Sequence, residues 1–175
     1  RLGLPRDPHW DRVIRGLSSL PVSDGVYLNA ESDPVTWSDI DKRRDHPSLL
    51  GAYGFVPRTE AVDPETMRRT LHRVMSDWQW DETWGWDYPL TAMTAARLGE
   101  PEIAVRALSM DTLKNHYHPN GHNYQRPGLT IYLPGNGGLL YATALMARGW
   151  DGAPAAAPGF PADWNVRSEG LSPAP

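Results

Sequence analysis

The chain contains no cysteine. That excludes a disulfide framework and thiolate chemistry, and it fits either redox compartment. No stretch approaches the roughly 20 apolar residues of a membrane span, and no signal peptide is visible. Basic residues are not in excess: 17 Lys and Arg stand against 21 Asp and Glu, a formal charge of −4. A nucleic-acid partner is therefore not expected, and the imbalance is too mild to name a cationic one. There is also no βαβ alternation and no sustained period-2 run, which argues against a sheet as the main architecture.

What is there is helical signal and aromatic density. The 175 residues suffice for one domain with a real core. Asp7-Pro8 reads as an N-cap followed by proline in the first turn, and Trp10, Val13, Ile14 and Leu17 recur at helical spacing. Asp63-Pro64 repeats the start signal, with Met67, Leu71, Val74, Met75 and Trp78 on one face. A third helix is expected over about Tyr88–Leu98, stopped by Gly99, its Ala92, Ala95 and Ala96 allowing close approach of a neighbour. A fourth opens at Pro101 and carries Ile103, Val105 and Leu108. A fifth, from about Gly137 to Ala147, is apolar nearly all round and ends at Gly149. Short strands are expected at 26–29, 129–133 and 164–167.

Half of the eight tryptophans fall in Trp78-Gln79-Trp80-Asp81-Glu82-Thr83-Trp84-Gly85-Trp86-Asp87, interleaved with three carboxylates. Indoles are costly to leave in water and unpaired carboxylates are costly to bury. A cleft that holds a sugar ring on flat apolar faces, with acids beside it, suits both. Trp78 belongs to a helix face and is expected in the core, whereas Trp84 and Trp86 are expected to face a ligand. Asp87 and Glu82 are the candidate catalytic carboxylates, and Asp87 doubles as a candidate N-cap. The bland alternative is a structural loop whose indoles plug one end of the fold.

The second long connection, 114–136, is rich in His, Asn, Gln, Tyr and Arg and has no acid. Such a mixture suits neutral hydroxyls, which need donors and acceptors in fixed places. His122, Asn123, Gln125, Arg126 and Asn136 are its candidate substrate contacts, Arg126 being the one suited to a carboxylate. His116, His118 and His122 are closely spaced, but cysteine and a His-Glu-x-x-His helix are lacking, so neither metal nor cofactor is expected. Gly135–Gly138 lacks the Lys-Ser/Thr of a phosphate loop. Asp41-Lys42-Arg43-Arg44-Asp45 reads as a solvated charge run.

Asp45-His46-Pro47-Ser48-Leu49-Leu50-Gly51-Ala52-Tyr53 resembles the His-x-Ser plus Gly-x-Tyr segment of six-hairpin glycosidases. Gly85-Trp86, then Ala95-Ala96-Arg97-Leu98-Gly99, and finally Gly135-Asn136-Gly137-Gly138-Leu139-Leu140 resemble later segments of the same superfamily, in its order. The nearest pattern is that of family 95 glycoside hydrolases and their relatives, over roughly residues 8–152. The resemblance implies an (α/α)6 barrel, inverting hydrolysis of a carbohydrate and a site in the barrel mouth. It makes His46 a substrate contact, Trp86 a pocket wall and Asn136 a polar contact. Pro134 stands where that family carries an aspartate, and residues 1–45 show no counterpart of its general acid. Fucosidase specificity is therefore not implied.

The expected fold is all-α: part of an (α/α)6 barrel with long functional loops and a few short strands. Residues 1–152 form the C-terminal portion of a glycosidase-like catalytic domain, and 153–175 a Pro/Ala/Gly-rich extension. The start at Arg1 and the few legible helices suggest that upstream chain supplies the rest of the barrel. Glycoside hydrolysis is the expected activity. A phosphorylase or uronic-acid-acting lyase on the same barrel, and a non-catalytic glycan-binding protein, are the alternatives. Location is left open, a secreted or periplasmic parent being one option.

Overall fold

The computed structural model describes residues 3–154 and 156–175; Arg1, where the chain starts, lies outside them. Among the described residues the regular structure is six α-helices, three short 3-10 helices (Ile40–Arg43, Ser48–Leu50 and Leu113–Asn115) and one two-stranded antiparallel sheet. The helices are α1 (Pro8–Arg15), α2 (Gly51–Gly54), α3 (Pro64–Asp77), α4 (Asp87–Arg97), α5 (Pro101–Leu108) and α6 (Leu133–Arg148). The strands β1 (Val22–Ser23) and β2 (Val26–Tyr27) pair in register Val22 with Tyr27 and Ser23 with Val26. The chain is helix-rich, as its periodicity implied. No helix among the described residues is long and apolar enough to cross a membrane.

The core is built around α4. Ten of its eleven residues are buried, the largest share of any helix among the described residues. It contacts α2, α3, α5 and α6. Ala92, Ala95 and Ala96 are buried, so small side chains let the neighbouring backbones come close. Gly99, at φ +74°, turns the chain into α5. There the buried face is Ala104 and Ala107, while Ile103, Val105 and Leu108 are only partly covered.

Helix α3 begins as its sequence dictates: the Asp63 carboxylate accepts from Thr66 N, and Pro64 occupies the first turn. Met67, Leu71, Val74 and Trp78 are buried along one stripe. The β-hairpin is stitched to this helix. Tyr27 N donates to Thr70 Oγ1 at 2.9 Å, and Asp63 N donates to the Tyr27 hydroxyl at 2.8 Å. Trp37 lies edge-on to Trp78, with the Arg73 guanidinium 4.7 Å above the Trp37 ring.

Several expectations need correction. The strands at 129–133 and 164–167 are absent: Leu129 makes one isolated bridge to Arg126, and α6 already starts at Leu133. Pro134 fits a first helical turn, where its missing N–H is no loss, so the helix opens four residues earlier than the glycine run suggested. Nor is α6 buried all round. Gly135, Ala142, Leu145 and Met146 face inward, whereas Leu140 is 73 % exposed. The Pro/Ala/Gly-rich C-terminal stretch lies against the body. Gly159 N donates to Met146 O, and Ala174 bridges to Trp150 and is buried.

Helix α1 is capped as expected, Asp7 accepting from His9 N, yet none of its residues is buried. Trp10 is 64 % and Leu17 68 % exposed, so its apolar stripe faces solvent. Unpartnered stripes of this kind attract apolar ligands. Trp10→Ser with Ile14→Asp is expected to lower binding of a hydrophobic dye while leaving the melting temperature nearly unchanged. Leu71→Ala, in the core, is expected to cost about 2–5 kcal/mol in denaturant titration. Equal loss of stability from both changes would show that α1 is docked in solution.

Candidate functional site

The site forms where three segments meet: the turn before α2, the tryptophan loop and the first residue of α4. Asp87 is its centre and is completely buried. It was a candidate N-cap, but Trp86 occupies that place with helical φ and ψ (−86°, −8°), and no side chain caps the helix. The Asp87 carboxylate turns back into the loop instead. Its Oδ2 accepts from Trp84 N at 2.8 Å and from the Thr83 hydroxyl, and Oδ1 lies 2.9 Å from His46 Nδ1. A carboxylate at the start of a helix also meets the positive end of the backbone dipole. A buried charge is tolerable only with such a complement of donors.

His46 stands between indoles. Its ring centroid is 5.6 Å from that of Trp84 and 5.0 Å from that of Trp86. Trp84 continues to Tyr132 at 5.6 Å, and Trp86 to Phe55 at 6.2 Å. The Trp86 indole nitrogen also approaches His46 Nδ1, at 2.7 Å. Nδ1 has one in-plane position, so it serves one partner at a time: protonated it donates to Asp87, bare it accepts from Trp86. The buried carboxylate decides, because losing this donor would leave a dry charge under-solvated. The proton is therefore assigned to Nδ1 and Asp87, and the bare Nε2 lies 3.4 Å from the Trp86 indole nitrogen.

Partial burial alone would lower the His46 pKa. The hydrogen bond and charge of Asp87, with the charge of Asp45, outweigh it, and the net shift is upward. Asp45 Oδ1 lies 3.6 Å from Nε2. Burial, followed by the charges of Asp87 and Asp45, pushes the Tyr132 phenol up to about 12, so at neutral pH it is a donor. His46, Asp45 and Ser48 line a cavity of about 550 Å³ with Asn29, Asp33, Asp41 and Lys42.

The other sequence candidates fall in different places. Glu82 is more than half exposed and pairs at 3.1 Å with Arg44, which also pairs with Asp41. Gln125 is buried, and both ends of its amide are engaged: Oε1 accepts from Gly85 N and Nε2 donates to Thr83 O. Asn123 is buried too, donating to Lys114 O and His116 O, with its backbone N–H on Asn136 Oδ1. Asn136 Nδ2 donates to Gly121 O. These three amides therefore serve the protein's own backbone. His122 is partly buried with Nδ1 unpartnered among the described residues, and Arg126 is exposed. No hydrogen bond, ion pair or ring contact joins either to His46 among the described residues. Nor do the described residues include a group of three or more His, Asp or Glu arranged to hold a metal.

Asn123 explains two glycines. A methyl on Gly85 would sit 1.9 Å from Asn123 Oδ1, and one on Gly135 would sit 2.1 Å from it. Only residues without Cβ let this amide lie between the tryptophan loop and α6. Three contributors escaped sequence reasoning. Thr83 is polar and unremarkable in sequence, Tyr132 looked like strand, and Asp45 looked like part of a solvated charge run. For Asp45 a signal did exist, since it immediately precedes His46.

Compared with known proteins, the chain matches no family model, no curated protein and no solved structure. The site therefore has to be interpreted from its own geometry.

Three outcomes follow from that geometry. Asp87→Asn places an amide donor against donors and is expected to cost about 2–3 kcal/mol. It should also drop the His46 pKa, read by NMR of the imidazole; an unchanged titration would break the proposed pairing. Because the folded His46 pKa lies above its unfolded value of about 6.5, its protonation stabilises the fold fully below that pH. This contribution is lost as the pH climbs through the raised folded value, and it should vanish in His46→Asn. Gly85→Ala is expected to cost about 1–3 kcal/mol by overpacking against Asn123, and Asn123→Gly in the same chain should recover part of it.

Proposed function

We propose that the chain forms part of a glycoside hydrolase of the (α/α)6-barrel type, acting on an oligo- or polysaccharide with inversion. The observation that carries this is a solvent-reaching imidazole held by a fully buried carboxylate and flanked by two indoles at a polar cavity. Indole faces hold the C–H face of a pyranose ring, and a fixed imidazole serves one of its hydroxyls. On this reading His46, which lines the cavity, is the hydroxyl contact, and Trp84 and Trp86, which pack against His46 without lining that cavity, offer the apolar faces.

The two carboxylates first expected to do the chemistry take other parts. Asp87 has no exposed atom with which to reach water or sugar, so it is a positioning residue acting through His46. Glu82 is held by Arg44 and contributes to the surface. An inverting reaction needs one acid to protonate the leaving oxygen and one carboxylate to activate water, about 6.5–9.5 Å apart. We assign that pair to the remainder of the barrel. The same further helices would cover the apolar stripes of α1 and α6.

The test is hydrolysis of a panel of aryl glycosides by the protein. His46→Ala and Asp87→Asn are each expected to lower kcat/KM on the order of 100-fold, with KM rising more for His46→Ala. Glu82→Gln should change it less than threefold. Activity of both His46→Ala and Asp87→Asn within a fewfold of wild type would sink the assignment, as would failure to cleave or bind any glycan.

A further inference from the structure

The polar cavity at His46 has an apolar neighbour. A second cavity, of about 200 Å³, is lined by Tyr27 of β2, Ala52 of α2 and Met67 of α3, with Leu20, Leu28 and Leu49 around them. The two cavities adjoin, because Asn29 and Ser48 line both. No charged residue lines the smaller one among the described residues. Beyond the two shared residues its one polar side chain is the Tyr27 phenol, and that hydroxyl already accepts from Asp63 N at 2.8 Å.

Polarity therefore changes abruptly across Asn29 and Ser48. On the His46 side a ligand meets charged and polar groups. On the other side it meets hydrocarbon and the thioether of Met67, which is fully buried, while Leu20, Leu28 and Ala52 are only partly covered. Sugar hydroxyls entering there would give up water without finding partners. Water itself needs two to four polar partners to be held, and an apolar group displaces poorly held water with a gain. Covering the half-exposed leucines adds to that gain. The space equals that of roughly six or seven water molecules, which suits a short chain rather than a long one.

Resting on the carbohydrate assignment above, we infer that the glycan bound at His46 carries a short aliphatic substituent, which crosses Asn29 and Ser48 into the apolar cavity. The substituent is either an alkyl group in glycosidic linkage or an acyl group in ester linkage. Both present the same chain to the same lining, and they differ only in the atoms that join it to the sugar. The smaller cavity then sets specificity: an unsubstituted sugar uses half of the cleft, and a substituted one uses both.

The experiment is calorimetric binding of two homologous series to the protein: methyl to hexyl glycosides of several hexoses, and acetyl to hexanoyl esters of the same sugars. In one series affinity is expected to rise roughly three- to fourfold per added methylene over the first few carbons and then level off; which series rises identifies the linkage. The Met67 methyl signal, followed by NMR of methionine-labelled protein, should move with the longer members and not with the shortest, which separates this site from the exposed stripe of α1. Ala52→Leu fills the cavity and should flatten the rise while leaving affinity for the shortest member within about twofold. Leu28→Ala enlarges the cavity and should move the plateau to a longer chain, a second reading should Ala52→Leu misfold. A flat response in both series, or a rise that neither variant alters, overturns the inference and leaves the carbohydrate assignment standing. Binding of no member of either series overturns both.

Discussion

A completely buried carboxylate sets the terms for the central part of this structure. Asp87 opens α4, the most enclosed helix, and has no water to solvate it. Its charge therefore has to be met from within the protein. Trp84 N and the Thr83 hydroxyl fold the tryptophan loop back over the helix start, and His46 reaches in from the segment before α2. Folding and site assembly are thus one event here: the donors that make Asp87 tolerable are the groups that arrange the cavity. Loss of any of them leaves a charge in a dry place, and this gives the three segments a strong reason to adopt one arrangement.

The polar loop plays a supporting part that its composition disguised. Its amides looked like sugar contacts because Asn and Gln offer donors and acceptors in equal measure. Buried, they do for backbone what they might have done for hydroxyls. Gln125 holds Gly85 N and Thr83 O, and Asn123 holds the carbonyls of Lys114 and His116. The loop that carries Trp84 and Trp86 is long and irregular, and it has little secondary structure to order it. Gln125 supplies that order. The rigidity of the aromatic wall therefore comes from residues that are not part of the wall.

The two faces of the molecule differ in completeness. Around α4 the packing is closed, with small residues wherever backbones approach. On α1, and on the outer side of α6, apolar side chains stand in solvent. The same contrast runs through the site. The wall and its histidine are finished down to the buried hydrogen bonds, whereas a pair of carboxylates placed to act on a glycosidic bond is not among the candidates this chain brings to His46. That contrast is the ground on which the proposed hydrolytic pair is assigned elsewhere.

Local chemistry made much of the fold legible in advance. Asp-Pro starts, glycine stops and the apolar stripe of α3 depend on neighbours a turn away, so sequence alone determined them. Trp78 in the core was readable on the same basis, whereas the packing of Trp84 and Trp86 against His46 was not. The start of α6 was not legible because its glycines look like loop until the close contacts of Gly135 with Asn123 and of Gly138 with Pro89 are known. Which polar groups would be used by the protein and which left for a ligand was not readable, because that depends on burial. Asp87 and Glu82 are five positions apart and chemically alike, yet tertiary packing buried the first under three donors and left the second on the surface beside Arg44. Sequence supplied the inventory of acids, amides and rings; desolvation, which only the folded chain imposes, divided them between holding the structure and facing a ligand.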